Sequence, residues 1–217
     1  MKRLTTSILL FLIVLGHSIQ AQNSAAQAKN LLEDVSSKIK SYSNIAIDFK
    51  YSVQNGMTLA TQDTRGNITL EGDKYYLNVL GITRIYDGKT LYTINPEDEE
   101  VTISSNNTDS VESITPEQML SFYDSGYTYD MDITQNINGR KIQYVKLTPT
   151  DSGSGIKHVL LGIDSNTHHI YKLIEVANDG GNTTLTVNSF KTDELLSKSL
   201  FIFDESKYSG YFINRLD

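Results

Sequence analysis

The chain has 217 residues, with 19 Lys and Arg against 26 Asp and Glu, a formal net charge of −7 and no cysteine. That length allows one domain or a small pair. The missing thiols exclude a disulfide framework and any thiolate metal site. An acidic balance without clustered cations argues against nucleic acid as a partner.

Residues 1–21 read as a secretory signal peptide. Lys2 and Arg3 supply the positive end, and Ile8 to Leu15 is an apolar core far shorter than the roughly 20 residues of a membrane span. Ala21 offers a small residue at the cleavage point, leaving residues 22–217 as a single mature domain; an uncleaved anchor is the alternative. Removing Lys2 and Arg3 leaves 17 basic against 26 acidic side chains, a net of −9. No cysteine follows the apolar core, so the chain cannot be acylated as a bacterial lipoprotein. Without disulfides, the exported chain must stand on its hydrophobic core, for which its length suffices.

Ser24 to Ser41 is expected to be a helix, opened by Ser24 and Gln27 in the form of a capping box. Ala28, Leu31, Leu32, Val35 and Ile39 make one apolar stripe on a 3.6-residue period. From Ile45 the period changes to two. Ile45, Ile47, Phe49, Tyr51 and Val53 alternate with polar residues, as in a half-buried strand. Asn55-Gly56 turns the chain, Arg65 to Leu70 starts another strand, and Lys74 to Val79 follows with Tyr75, Leu77 and Val79 on one side. Asp87-Gly88-Lys89 separates Arg84–Tyr86 from Thr90–Ile94, the strongest kind of local hairpin signal. Asn95-Pro96 ends that strand before Val101 to Ile103.

Thr115-Pro116-Glu117-Gln118 has the form of a helix start, with Thr115 as cap and Pro116 at the first helical position. Met119, Leu120, Phe122 and Tyr123 make this second helix strongly apolar, and Gly126 ends it. Strands resume with Tyr127, Tyr129, Met131 and Ile133 in alternation, then Lys141 to Thr148, Val159 to Ile163 around Leu161, Ile170 to Val176 and Thr184 to Phe190. An aromatic tail carries Phe201, Phe203, Tyr208, Tyr211 and Phe212.

The expected fold is mainly β with an α lid: an unclosed antiparallel β-barrel of about eleven strands, covered by two amphipathic helices. Alternation would also suit a sandwich, but a sandwich has no need of two such helices.

The chain resembles the periplasmic lipoprotein carrier family (LolA-like). The resemblance is carried by Gly66, the run Tyr86-Asp87-Gly88-Lys89-Thr90-Leu91-Tyr92, Asn95-Pro96 and Glu99-Glu100-Val101. Gly181-Asn182-Thr183-Thr184 to Phe190, followed by Phe201-Ile202-Phe203, adds to it. It covers Leu31 to Asp217. It implies a soluble, monomeric periplasmic carrier that hides the acyl chains of lipoproteins in an apolar cavity. Such a carrier takes lipoproteins from an inner-membrane lipoprotein-releasing ABC transporter to the outer membrane, where an acceptor is a further partner. Burying an acyl chain is worth about 0.8 kcal/mol per methylene, so a chain of about 15 carbons is worth about 12 kcal/mol.

By stripe and alternation, the cavity candidates on the first helix are Leu32, Val35 and Ile39. On the early strands they are Ile47, Phe49, Tyr51, Leu70 and Leu77. Further along they are Met119, Leu120, Phe122 and Tyr123, then Met131 and Leu161. The family usually carries an Arg-Pro pair about six residues after the glycine matching Gly66, and its Arg ties the lid shut. Gly72 and Asp73 stand there in this chain, which makes Arg65 and Arg84 the candidates for a substitute tie. That departure keeps a second function open, a lipid- or envelope-sensing adaptor of the same fold that transports nothing.

No catalytic residue, metal or cofactor is expected. His168 and His169, adjacent in sequence, would point to opposite faces of a strand and are read as a surface turn. Ser154 in Asp151-Ser-Gly-Ser-Gly155 lacks the strand-to-helix setting of a nucleophile. Glu97 to Glu100 reads as a solvated turn or a docking edge for a basic partner.

Overall fold

Among the described residues, the two periodicities of the sequence fold into one α-helix and one sheet. The computed structural model describes residues 24–105, 123 and 125–216. Helix α1 covers residues 24–40 and buries Ala28, Leu32, Val35 and Ile39, the stripe expected. Twelve strands follow: β1 Ile45–Gln54, β2 Thr61–Glu71, β3 Lys74–Val79, β4 Ile82–Tyr86, β5 Thr90–Asn95 and β6 Glu100–Ser105. The second half holds β7 Tyr127–Ile137, β8 Arg140–Pro149, β9 Ile156–Asp164, β10 Ile170–Ala177, β11 Asn182–Thr192 and β12 Phe212–Leu216.

All twelve belong to a single sheet in the order β12-β6-β5-β4-β3-β2-β1-β11-β10-β9-β8-β7, which does not close on itself. Every pairing is antiparallel except β12 with β6, which is parallel. The sheet is therefore the unclosed half-barrel expected, not a sandwich. It has twelve strands where about eleven were expected. The twelfth, Phe-Ile-Asn-Arg-Leu, was not expected because a parallel partner more than a hundred residues away leaves no local turn signal. Of the two expected helices, the first is present; residues 106–122, which hold most of the second, lie outside the described residues.

Alternation gives each strand an inner and an outer side. The inner side packs against α1 through Ile45, Ile47, Phe49, Ile68, Leu70 and Tyr75, and further round through Val145, Leu147, Val159, Leu161 and Ile163. On the outer side, Ile85, Ile94 and Val101 form a second, smaller core under the C-terminal tail. There Phe203 stacks on Tyr92 at 4.6 Å and on Tyr208 at 5.4 Å. In β7 the alternation slips: the register shifts between Met131 and Thr134, and Ile133, expected inside, is exposed. A bulge of this kind turns one residue out of sequence.

The strand directions place the hairpin loops 55–60, 80–81, 96–99, 150–155 and 178–181 at one end of the sheet, called here the upper end. The Asn178 N–H donates to Gly155 O at 2.9 Å, and Asn182 Nδ2 donates to Gln54 Oε1 at 3.2 Å, drawing three of those loops together. The lower end holds the C-terminus of α1. There Asn44 is buried and bonded both ways to the Glu194 backbone, Nδ2 to O and N to Oδ1, each at 3.0 Å. Ser43 adds its N–H and hydroxyl to Asp193 Oδ1 at 2.8 and 2.6 Å, which hold that carboxyl below the usual range. The N-terminal end of α1 is tied elsewhere: Ser24, expected in a capping box, accepts the Met131 N–H at 2.9 Å.

Candidate functional site

The site is the inner face, and it is divided. Its lower half is filled by α1. Ile45, Ile47, Leu70 and Tyr75 are buried there, as are Tyr86 and Leu91. Burial pushes the Tyr75 hydroxyl above its ordinary pKa, and the nearby Arg84 charge partly offsets this. Its upper half is apolar too: Leu147, Val159 and Leu161 are buried in it on β8 and β9, whereas Tyr51, Val79, Leu173 and Leu185 are only half-buried, as is Leu77 one row lower, level with Ile47 and Ile68. Val53, at the top of the same row in β1, is 40% exposed. Above it, the rim carries Met57, Leu59 and Leu80 at 90%, 66% and 65% exposure. Leu59 and Leu80 both sit at φ +55°, a left-handed conformation uncommon for a bulky side chain.

Between the halves, Phe49 lies across Gly66. A Cβ added at Gly66 would come within 2.5 Å of the Phe49 ring and 2.8 Å of Asn78 O. The glycine is there because the opposing aromatic occupies its side-chain space.

This division sorts the sequence-based candidates. Leu32, Val35, Ile39, Ile47, Phe49, Leu70, Tyr123 and Leu161 are brought into one cluster, all buried. Tyr51, Leu77 and Met131 pack against that cluster and stay half-buried. Met119, Leu120 and Phe122 lie outside the described residues. Val53, Val79, Leu173 and Leu185 border the same upper half and were not among the candidates. Their signal was the same alternation, with nothing in the sequence to tell a covered position from an open one.

The two arginines part company. Arg65 is exposed and pairs with Lys50 on the outer side, whereas Arg84 is half-buried and pairs with Leu77 on the inner side. The β2–β3 turn at Gly72-Asp73, where the resemblance looks for Arg-Pro, is at the lower end with Gly72 at φ +54°.

His168 lies in the β9–β10 turn at φ +57°, as expected, but His169 is half-buried and packed against other side chains. Its ring stacks on Phe190 at 4.0 Å, and its Nε2 is 2.7 Å from Tyr42 Oη, closing the lower end of α1 against the sheet. Burial lowers its pKa, Lys38 and His168 add to that, and Asp164 opposes it. Ser154 is a turn residue: its hydroxyl accepts the Ile156 N–H at 3.1 Å. Asp87 likewise shapes its hairpin, accepting the Lys89 and Thr90 N–H groups at 2.8 Å each.

An unclosed half-barrel with an apolar inner face partly covered by its own helix is a lipid-binding fold of the periplasmic carrier class. The sequence pattern of outer membrane lipoprotein carrier protein LolA matches residues 40–204, and the chain belongs to that family. Its proteins are periplasmic binding and carrier proteins. An uncharacterized conserved protein from Thermus thermophilus superposes with a TM-score of 0.56 at 11% identity, over 88% of this chain and 99% of that one. LprF from Mycobacterium bovis gives 0.51 at 15% identity, over 80% and 96%. A LolA superfamily protein from Nitrosomonas europaea gives 0.40 at 12% identity, over 82% and 98%. At these identities the likeness is one of fold. No curated protein matches the chain significantly. No helix among the described residues is long and apolar enough to cross a membrane.

Proposed function

We propose that the protein is a monomeric periplasmic carrier, exported by a signal peptide cleaved after Ala21. In this reading it binds the acyl chains of lipoproteins over the upper half of its inner face. It receives them from an inner-membrane lipoprotein-releasing ABC transporter and delivers them to the outer membrane or to an acceptor there. The observation that carries this reading is the half-burial of Tyr51, Leu77, Val79, Leu173 and Leu185 on an inner face whose other apolar residues are buried in one cluster. Apolar side chains left half-covered on a concave surface gain about 25 cal/mol for each Å² that a ligand hides from water. Several such side chains offset much of the cost of lifting an acyl chain from a membrane.

The test is lipid mass spectrometry of the mature protein purified from its periplasm with its bound material. Triacylated peptides are the expected finding. Bare phospholipid, or no acylated material, would favour the adaptor reading over transport.

A further inference from the structure

Three cross-strand rows run over the inner side of β1 to β12, and the middle one changes character part-way. It reads Ile47, Ile68, Leu77, Arg84, Thr93, Thr102, Asn214, each residue directly opposite the next on the neighbouring strand. Directly opposed residues share a face of the sheet. Three apolar side chains are therefore followed without a gap by four polar ones. Ile47 and Ile68 are buried, whereas Leu77 is half-buried, so the apolar surface open to a ligand beside Arg84 is Leu77 with Val79 one row higher.

The polar half has a charged end and a neutral end. Arg84 is half-buried and forms no hydrogen bond or ion pair with a described residue. Thr102 and Asn214 are already bonded to Glu100 Oε1, at 3.2 and 3.4 Å. Glu100 sits two strands from Arg84 and one row higher, so the place for a negative charge is at Arg84 and Thr93. The opposite flank of the inner face is unsuited to an anion, because Glu175 stands there opposite Val159 and Thr183.

We infer that Arg84 and Thr93 hold an anionic oxyacid group, phosphate or carboxylate, at the head of an acylated ligand whose chain runs from Leu77 over Val79 towards Tyr51. This rests on the acyl-binding reading above and adds the chemistry of the head. A guanidinium offers a rigid fork of donors suited to such a group, and a threonine hydroxyl beside it adds one more. A half-buried cation beside apolar surface gains more from an anion than one in open water.

The test is titration calorimetry with laurate and dodecyl phosphate below their critical micelle concentrations and dodecanol below its solubility limit. These share one chain and differ in the head. The intact protein should bind the two anions about tenfold more tightly than the alcohol, the scale of a charge-assisted hydrogen bond. Arg84→Gln should bring all three to the level of dodecanol, with an unchanged melting temperature and unchanged dodecanol binding. Arg84→Lys should keep part of the preference. A phosphate-only preference would name phospholipid-like heads, and one shared with laurate would name any oxyacid; both agree with the inference. Dodecanol binding as tightly as both anions would overturn it, as would a preference that survives in Arg84→Gln. Failure of all three to bind would overturn the acyl-binding reading and this one with it.

Discussion

On β1 the lower and upper stretches of the inner face share one alternation, yet they end in different states, whereas on β8 and β9 Leu147, Val159 and Leu161 are buried at the upper level as well. Below, Leu32, Val35 and Ile39 of α1 meet Ile45, Ile47 and Leu70, and all are buried. Above, Tyr51, Val79 and Leu185 keep one side uncovered, as does Leu77 at the level of Ile47 on β3. The difference is the course of the helix, which runs from Met131 in β7 to the Asn44–Glu194 clamp at the foot of β1. Packing therefore determines which apolar residues serve stability and which remain available.

Substitutions separate these roles. Leu161→Ala, in the sealed region, should cost about 2–5 kcal/mol in urea unfolding, the lost transfer energy plus a cavity. Leu77→Ala, half-buried on the open side, should cost about 1 kcal/mol or less while weakening acyl binding several-fold. Equal destabilisation by the two would erase the distinction. Gly66→Ala comes next, at about 1–3 kcal/mol, because the new methyl meets both the Phe49 ring and a backbone oxygen. Asn44→Ala should cost about 1–3 kcal/mol by leaving the Glu194 N–H and carbonyl unpaired, and faster amide exchange around residues 41–44 would localise the loss.

The smallest effect is one of pH. His169 is held below its ordinary pKa of 6.5, so the unfolded chain takes up its proton first. Its contribution to stability is intact above pH 6.5 and is lost as the pH falls below that value towards the folded pKa. Thermal melts should show this decline, and His169→Gln should flatten it. A residual slope of the same sign is expected from His158, which burial also shifts down. An unaltered slope in His169→Gln would mean that the Tyr42–His169–Phe190 contact does not sense protonation.

The helix stripe and the strand faces were legible in the sequence because both are local. Val35 and Ile39 share a helix face by spacing alone, and Ile47, Phe49 and Tyr51 share a strand face by alternation. The hairpin at Asp87-Gly88 was legible for the same reason. What escaped depends on distant partners. His169 meets Tyr42 across 127 positions, and β12 meets β6 with no turn between them. The bulge in β7 inverted Ile133 although its sequence alternates without a break. The apolar inner face could be foreseen, but not its division into sealed and open halves, because that follows from where one helix lies.

The shared family pattern stops at residue 204, whereas β12 begins at Phe212. Phe212, Asn214 and Leu216 nevertheless stand on the inner side of the sheet, opposite Glu100, Thr102 and Ser104. This five-residue strand thus forms one margin of the inner face while its Ile213 packs on the outer core beside Ile85, Ile94 and Val101, so a single short segment is shared by both sides of the sheet.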